Sequence, residues 1–180
     1  VEEYTLVSVA DYVLSRAKAD GVKNLVTVSN LSSSRALRDV TESYGGTYFA
    51  SAVGEVNATT LMHEKGAIIG GEGNGGVIYP AIHSGRDAMV GVALFLSNLA
   101  HKKMTVSELK KTYPEYHIAK NKIELSDKGL IDKILSELKV IYAHENVNDI
   151  DGVKISFEDK REWVHLRKSN TEPIIRIYSE

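Results

Sequence analysis

The sequence has no cysteine among its 180 residues and only three prolines. The absence of cysteine excludes disulfide frameworks, zinc sites with cysteine ligands and cysteine nucleophiles. It also fits a reducing compartment, so we expect a cytoplasmic protein. An excess of charge of one sign is also lacking, because the chain has 22 Lys and Arg and 24 Asp and Glu, for a net charge of −2. Such a chain has no broad basic field for DNA or RNA phosphates, and we expect no nucleic-acid partner.

Long hydrophobic runs are also missing. The longest apolar stretch, Ala88 to Ala100, is too short to span a bilayer and is interrupted by Gly91, Ser97 and Asn98. We therefore expect no membrane partner and predict a helix of the core at this position. The chain opens on Val1 with no export signal, so we expect either a processed start or a piece cut from a longer protein.

Helix and strand patterns alternate through the first hundred residues. Apolar side chains recur at three- and four-residue spacing in some segments, and short β-rich runs lie between them. The spacing predicts helices at 5–19, 34–44, 56–65 and 87–99, and strands at 24–29, 47–53, 67–69 and 77–79. This alternation is typical of layered α/β proteins, and we predict an α/β domain with a mixed sheet over residues 1–100.

The pattern changes after Ala100. Thr105 and Glu108 have the spacing of a capping box, which predicts a short helix. A strand at 117–124 and a helix capped by Ser126 and ending at Leu138 follow, and β-type runs then occupy 139–143, 153–157 and 163–179. Because strands now outnumber helices and are linked by turn residues, we predict a smaller α+β domain with an antiparallel sheet over 101–180.

Six of the 14 glycines fall between Gly66 and Gly76, around Glu72 and Asn74. The loop fits the Gly-x-Gly-x-x-Gly pattern of dinucleotide-binding proteins, but a β-type run follows it where that pattern needs a helix N-terminus. A carboxylate beside an amide suits uncharged donors such as sugar hydroxyls. We interpret the segment as a hydroxyl-binding loop; the alternative is a plain connection with a solvated Glu72.

A second polar loop, Ser169-Asn170-Thr171, lies between two β-type runs near the end of the chain. Alternation along these runs places Val164 and Leu166 on the core face, so Trp163, His165 and Arg167 point to the other face. By the same parity Ile175 and Ile177 face the core and Arg176 points away. Two guanidiniums flanking hydroxyl and amide donors predict a clamp for a phosphate group. The alternative is a hairpin turn with two exposed arginines.

No catalytic constellation can be assembled from the remaining residues. The six histidines show no metal-ligand spacing, and no Asp-x-Asp-x-Asp cluster is present for Mg²⁺, so we expect no metal site and no catalytic residue in this chain. The histidines are His63, His83, His101, His117, His144 and His165. The serines at 32–34 precede a helix, where capping accounts for at least one of them.

The order of motifs resembles the C-terminal half of the α-D-phosphohexomutases, the family of phosphoglucomutase, phosphomannomutase and phosphoglucosamine mutase. The resemblance rests on the Gly-Glu-Gly-Asn-Gly-Gly loop, an apolar helix led by Asp87 about fifteen residues later, and the terminal Arg-Lys-Ser-Asn-Thr-Glu-Pro segment. Four domains line a cleft in that family, and this chain is similar to the third (1–100) and the fourth (101–180).

The resemblance implies a role for each motif. Glu72 and Asn74 would contact sugar hydroxyls, and Arg167, Ser169, Asn170 and Thr171 would hold the phosphate that is not transferred; strand parity adds Arg176. The phosphorylated serine and the Mg²⁺-binding aspartates would lie in the first two domains, outside this chain. The full-length enzyme would interconvert hexose 1-phosphate and 6-phosphate through a bisphosphorylated intermediate. Its partners are a phosphosugar substrate and the N-terminal domains of the same protein, and this chain alone is expected to be inactive and to bind no cofactor.

One position departs from the family pattern. Gly76 stands where many members have a histidine, so a ring contact to the sugar is absent and the preferred hexose is left open. The glycine form is most similar to phosphoglucosamine-mutase-like members. Two other classes stay open from the sequence: a stand-alone carbohydrate-phosphate binding module without catalysis, and a nucleotide-binding protein that uses the glycine loop.

Overall fold

A computed structural model describes residues 2–124, 128–169 and 174–180. The chain divides into two compact units, 1–116 and 117–180. The elements of the first unit are α1 Glu3–Ala19, β1 Val26–Asn30, α2 Ala36–Ser43, β2 Thr47–Ser51, α3 Glu55–Lys65, β3 Ile69–Glu72, β4 Gly76–Tyr79, β5 His83–Arg86, α4 Ala88–Lys102 and α5 Val106–Lys111. Those of the second are β6 Ala119–Glu124, α6 Lys128–Ile141, β7 Asn146–Asn148, β8 Val153–Phe157, β9 Glu162–Lys168 and β10 Ile174–Ser179.

The sheet of the first unit has the strand order β2-β1-β3-β4-β5. Strands β2 and β3 both run parallel to β1, whereas β4 and β5 are added antiparallel through hairpins. The mixed sheet predicted for this part of the chain is therefore confirmed. Because β1 lies between β2 and β3, the strand order reverses at β1, and the carboxyl ends of β1 and β3 lie side by side at that switch.

Helices cover both faces of this sheet. On one face Val26 and Val28 of β1 pack with Ala58 and Met62 of α3. On the other face the core is formed mainly by α1 and α2, with β3 and β4 contributing one residue each: Leu6, Val9, Leu14, Leu37, Ile69 and Val77. All five residues of β1 are buried, as expected for the central strand of a sheet covered on both sides.

The second unit is a five-stranded antiparallel sheet of order β6-β10-β9-β8-β7. Helix α6 covers one face, where Ile131 and Leu135 pack with Val153, Ile155 and Ile175. The predicted antiparallel α+β architecture is confirmed for the described residues of this part. The expected cap at Ser126 lies outside them.

The division between the units falls after Tyr116, sixteen residues beyond the boundary expected at 100/101. The reason is the packing of the segment that follows α4. Leu109 of α5 and Tyr113 are buried with the core of the first unit, and the Tyr113 hydroxyl donates to Asp11 of α1 at 2.7 Å. The capping box of Thr105 and Glu108 is present as predicted, but its helix belongs to the first unit.

Helix α4 packs on the core of the first unit along one side only, through Leu94, Phe95 and Leu99. Met89, Val92 and Leu96 are 78%, 54% and 57% exposed, and only Gly91 and Asn98 of the helix are buried. The predicted core helix is thus confirmed for one face and not for the other, because composition gives the apolar content of a helix and not the number of its faces that are covered. Within the part of the chain that the structure describes, no helix is long and apolar enough to cross a membrane.

Two strand assignments also differ from the prediction. The β-rich run at 139–143 is helical as far as Ile141, because the helical register of α6 continues through it, and the strand β7 comes five residues later than that end. Strand β5 was not predicted, since its sequence His-Ser-Gly-Arg has no apolar alternation. Its last residue, Arg86, contacts the glycine-rich loop.

Candidate functional site

Glu72 is the last residue of β3 and lies where the strand order of the first sheet reverses. Its neighbour Gly71 pairs with Ser29, so Glu72 lies beside Asn30 at the carboxyl end of β1. In open α/β sheets, ligands bind in the crevice outside the carboxyl ends of the strands at such a switch. The topology therefore puts the glycine-rich loop at the position where this fold class binds small molecules.

The Glu72 carboxylate is buried and has polar partners. Only 6% of the residue is exposed. Asn30 Nδ2 donates to Oε1 at 3.1 Å, and Arg86 Nη1 lies 3.3 Å from Oε2. A buried carboxylate needs such partners because desolvation of an unpaired charge is costly. The alternative of a solvated Glu72 is wrong for this structure.

Arg86 is also bonded to a second carboxylate, that of Glu55 at the start of α3. Arg86 Nε donates to Glu55 Oε2 at 2.7 Å, and the backbone N–H of Arg86 donates to Oε1 at 3.0 Å. These two hydrogen bonds hold the pKa of Glu55 below its usual range. The guanidinium thus connects Glu55 at the surface with Glu72 in the interior.

The glycine-rich segment forms the hairpin between β3 and β4. Asn74 is exposed, and its Oδ1 accepts from the backbone N–H of Gly76 at 3.1 Å, which leaves its amide NH₂ available as a donor. The residues after the loop form β4 and not a helix. The expected obstacle to a dinucleotide fingerprint is therefore present, because no helix N-terminus follows these glycines to receive a pyrophosphate.

A row of cationic residues crosses the sheet of the second unit. Arg176 on β10 pairs directly with Arg167 on β9 and, on its other side, with Lys122 on β6. Directly paired residues of antiparallel strands carry their side chains on the same face, with Cβ atoms roughly 5 Å apart. Like charges so placed destabilise a sheet unless an anion neutralises them. Lys122 is paired with Glu124 at 3.4 Å, so the Arg167–Arg176 pair is the part of this row that is suited to an anion with several oxygens.

The predicted clamp residues are partly described. The backbone N–H of Ser169 donates to Ile174 at 3.0 Å and closes the end of the hairpin. Arg167 is half-buried, and its Nε is a buried donor with no hydrogen-bond partner among the residues that the structure describes. Asn170 and Thr171 lie outside the described residues. The structure thus brings Arg167, Arg176 and Ser169 to one end of the β9–β10 hairpin.

The face that carries Arg167 is not an exposed face along its whole length. Leu166 and Ile177 contact the core beneath α6, as the predicted parity required. Trp163 and His165 point the other way, yet both are buried. Burial, with the charges of Lys154 and Arg167 adding to its effect, lowers the pKa of His165 to about 4. His165 is therefore neutral near pH 7, and on this face Arg167 is half-buried whereas Trp163 and His165 are buried.

Three residues of these two arrangements were not predicted from the sequence: Asn30, Arg86 and Lys122. Asn30 is a polar residue at the end of a buried β-rich run, which is the signal that could have identified it. Arg86 precedes Asp87, whose side chain accepts from the N–H of Val90 and caps α4 as expected. Lys122 can be assigned to this row only when the β6–β10 register is known.

The described residues do not fit a magnesium site. No group of three or more acidic or histidine side chains within residues 2–124, 128–169 and 174–180 is arranged to hold a metal ion. No step of a reaction is therefore assigned to a metal in this chain.

Two family models match the chain. Residues 2–116 match the phosphoglucomutase/phosphomannomutase α/β/α domain III, and residues 121–180 match the phosphoglucomutase/phosphomannomutase C-terminal domain. The chain belongs to this family. The boundaries of the two matches agree with the structural division after Tyr116, and the resemblance inferred from the sequence motifs is confirmed.

Relatives with curated names carry several sugar specificities. The chain is 33% identical over 171 residues to a phosphoglucosamine/phosphogalactosamine mutase of Sulfurisphaera tokodaii, which covers 94% of the chain. It is 35% identical over 178 residues to a phosphoglucomutase/phosphomannomutase of Thermococcus kodakarensis, which covers 98% of the chain. The chain spans 37% of the length of each of these two proteins.

A solved structure shares the fold at low identity. The N-acetylphosphoglucosamine mutase of Aspergillus fumigatus, solved with GlcNAc-6P and magnesium, superimposes with a TM-score of 0.68 at 14% identity, over 99% of the chain and 40% of that protein. At this identity the likeness shows the fold alone.

Proposed function

We propose that this chain is the substrate-binding half of a phosphohexomutase that interconverts hexose 1-phosphate and 6-phosphate through a bisphosphorylated intermediate. The observation that carries the proposal is the direct pairing of Arg167 with Arg176, with the buried Nε of Arg167 left without a partner among the described residues. Membership of the phosphoglucomutase/phosphomannomutase family supports it.

In this proposal the second unit binds the phosphate that is not being transferred. Arg167 and Arg176 supply charge and a fork of N–H donors, which matches the oxygens of a phosphate better than single ammonium groups do. Ser169, Asn170 and Thr171 add hydroxyl, amide and backbone donors. Because the intermediate carries a phosphate at each end, one fixed clamp has to accept either of them.

The first unit binds the sugar. Glu72 accepts hydrogen bonds from sugar hydroxyls, and Asn74 donates its amide N–H. These groups orient the ring and do not form or break bonds, so their contribution to catalysis is positioning. The reacting serine and the Mg²⁺ that such enzymes use would be supplied by domains other than the two matched here. The substrate class is a hexose phosphate, with glucosamine, mannose and glucose phosphates as the candidates, in the cytoplasm.

The complete gene product provides the test. We expect it to convert glucosamine, mannose or glucose 1-phosphate to the 6-phosphate in the presence of Mg²⁺ and a hexose bisphosphate, as measured by phosphorus NMR. Residues 1–180 alone should show no turnover. Binding of a hexose phosphate without turnover by the complete product would favour the carbohydrate-phosphate binding module, and absence of both would overturn the proposal.

A further inference from the structure

Gly76 and Arg86 occupy neighbouring strands, and the arginine side chain passes close to the glycine. A Cβ atom on residue 76 would lie 2.6 Å from Cδ and 3.3 Å from Cγ of Arg86. Non-bonded carbon atoms approach each other to about 3.5–4.0 Å, so a side chain at 76 would displace the arginine side chain. The arginine can take this path because residue 76 has no side chain.

The path across Gly76 brings the Arg86 guanidinium to Glu72. At the far end of the side chain, Nη1 lies 3.3 Å from Glu72, while Nε is hydrogen-bonded to Glu55 at 2.7 Å. The backbone N–H of Arg86 is also bonded to Glu55. Because the two hydrogen bonds to Glu55 hold the backbone N–H and Nε of Arg86, the guanidinium reaches Glu72 in a fixed orientation.

The Arg86 contact decides what Glu72 offers to a ligand. Asn30 and Arg86 each engage one oxygen of the buried carboxylate. A carboxylate oxygen can accept more than one hydrogen bond, so each oxygen retains capacity for a hydroxyl donor. The two nitrogen donors therefore fix the plane of the carboxylate and offset its charge.

We propose that Arg86 is a positioning and specificity residue of the sugar loop, which acts through Glu72 and for which Gly76 leaves the space. The inference rests on the proposed role of Glu72 as an acceptor for sugar hydroxyls. It adds a selectivity that Glu72 alone would not have. A lone buried carboxylate favours a cationic amino sugar, whereas a carboxylate paired with a guanidinium favours neutral hydroxyls.

The experiment is a double-mutant cycle in the complete gene product, with Arg86→Met and Gly76→Ala made singly and together. Arg86→Met keeps length and removes charge, and we expect KM for glucose 6-phosphate to rise about tenfold. The ratio of kcat/KM for glucosamine 6-phosphate to that for glucose 6-phosphate should shift several-fold toward the amino sugar. Gly76→Ala should give the same shift, because it displaces Arg86.

The double variant should be no worse than Gly76→Ala alone, since both changes remove the Arg86–Glu72 contact and only the alanine also crowds Asn74, whose Oδ1 would lie 3.2 Å from the new Cβ. Arg86→Lys should recover part of the KM and of the selectivity, because an ammonium supplies the charge without the fork. The matched control is Arg38→Met, which removes an arginine paired with Glu42 on the surface of α2. It should leave both KM and the selectivity ratio unchanged.

A purely structural role for Arg86 would lower activity toward both sugars equally and leave their ratio constant, and that result would overturn the proposal. Additive effects of Gly76→Ala and Arg86→Met would overturn it as well. Glu72→Gln separates this inference from the proposed function. If Glu72→Gln weakens sugar binding while Arg86→Met does not, only the role of Arg86 fails; if Glu72→Gln has no effect, the proposed sugar site itself fails.

Discussion

Arg176 lies directly opposite Arg167 in the β9–β10 register, so two cationic side chains share one face of the second sheet. Their mutual repulsion is unfavourable in the absence of an anion. The pair is thus expected to favour the binding of phosphate.

Arg167→Ala should weaken binding of a hexose phosphate by about 1.5–3 kcal/mol, which is the range for a charge-assisted hydrogen bond and corresponds to roughly ten- to a hundredfold in affinity. Arg167→Lys should recover part of this loss. Calorimetric titration of the complete gene product gives both values. Unchanged affinity and turnover would favour the hairpin turn without a phosphate role.

Substitution of Glu72 should change ligand affinity in opposite directions under the sugar and the dinucleotide interpretations. If it accepts from sugar hydroxyls, Glu72→Gln should weaken hexose phosphate binding, and Glu72→Ala should weaken it more because the hydroxyls then lose an acceptor. If the loop held a pyrophosphate, the carboxylate would repel it, and Glu72→Gln would strengthen binding of NAD. Titration with a hexose phosphate and with NAD distinguishes them. Tighter NAD binding by the glutamine variant would contradict the mutase proposal.

His165 should make the stability of the second unit depend on pH. It is 1% exposed and donates from Nε2 to the carbonyl of Asp151 at 2.6 Å. Its pKa in the fold is about 4, against roughly 6.5 in an unfolded chain. Between these values the unfolded chain binds more protons, so the free energy of unfolding falls as the pH drops from 6.5 to 4, by up to about 1.4 kcal/mol per unit.

Urea denaturation at a series of pH values provides this measurement. His165→Gln should remove the dependence in that window, at some cost in stability at pH 7. His144→Gln, which changes an exposed histidine of the same unit, is the control and should retain it. An equal slope in the wild type and in His165→Gln would show that the charge of this histidine does not matter.

A buried polar network around Asp11 of α1 holds the segment that follows α5 against the rest of the first unit. Asp11 accepts from the hydroxyls of Tyr113 at 2.7 Å and Tyr44 at 2.6 Å, and it pairs with Lys102. Burial alone would raise the pKa of Asp11, but the hydrogen bonds from Lys102 and the two tyrosines outweigh it and lower the pKa below 3.8. The stability that the ionised carboxylate supplies is therefore present above about pH 4 and is lost as the pH falls further.

Tyr113→Phe should destabilise the first unit by about 1–3 kcal/mol, because it leaves a buried carboxylate with one donor fewer. Amide hydrogen exchange should accelerate most in residues 105–116, because the Tyr113–Asp11 hydrogen bond holds this segment against α1. Tyr12→Phe is a matched control, since no hydrogen bond of the Tyr12 hydroxyl occurs within the described residues. Equal loss of stability in both variants would contradict the role given to the network.

The first unit shows which features of the fold can be predicted from the spacing of apolar residues. The helices and the strands around Val28 and Ile69 were predicted within a few residues, because buried side chains recur at fixed spacing along each element. The boundary after Tyr116 could not be predicted, since it depends on contacts of Leu109 and Tyr113 with residues about a hundred positions earlier. Strand β5 was missed because hairpin pairing, and not apolar alternation, creates it.

The candidate sites show the same limit. Glu72, Asn74 and the Arg167 segment are local motifs and could be read from their neighbours in the chain. Asn30 and Arg86 contact Glu72 from 42 and 14 positions away, so only the folded sheet reveals them. A motif identifies the group that meets a ligand, whereas the residues that orient this group are set by strand register.

The close approach of Gly76 and Arg86 has an evolutionary consequence. A single substitution at either position breaks a contact: a side chain at 76 expels the arginine, and loss of the arginine leaves an empty space beside Glu72. The two positions should therefore change together across homologous sequences. In homologues in which residue 76 carries a side chain, we expect residue 86 to have a short side chain. The side chain at 76 would then fill the space of the guanidinium and contact Glu72 in its place.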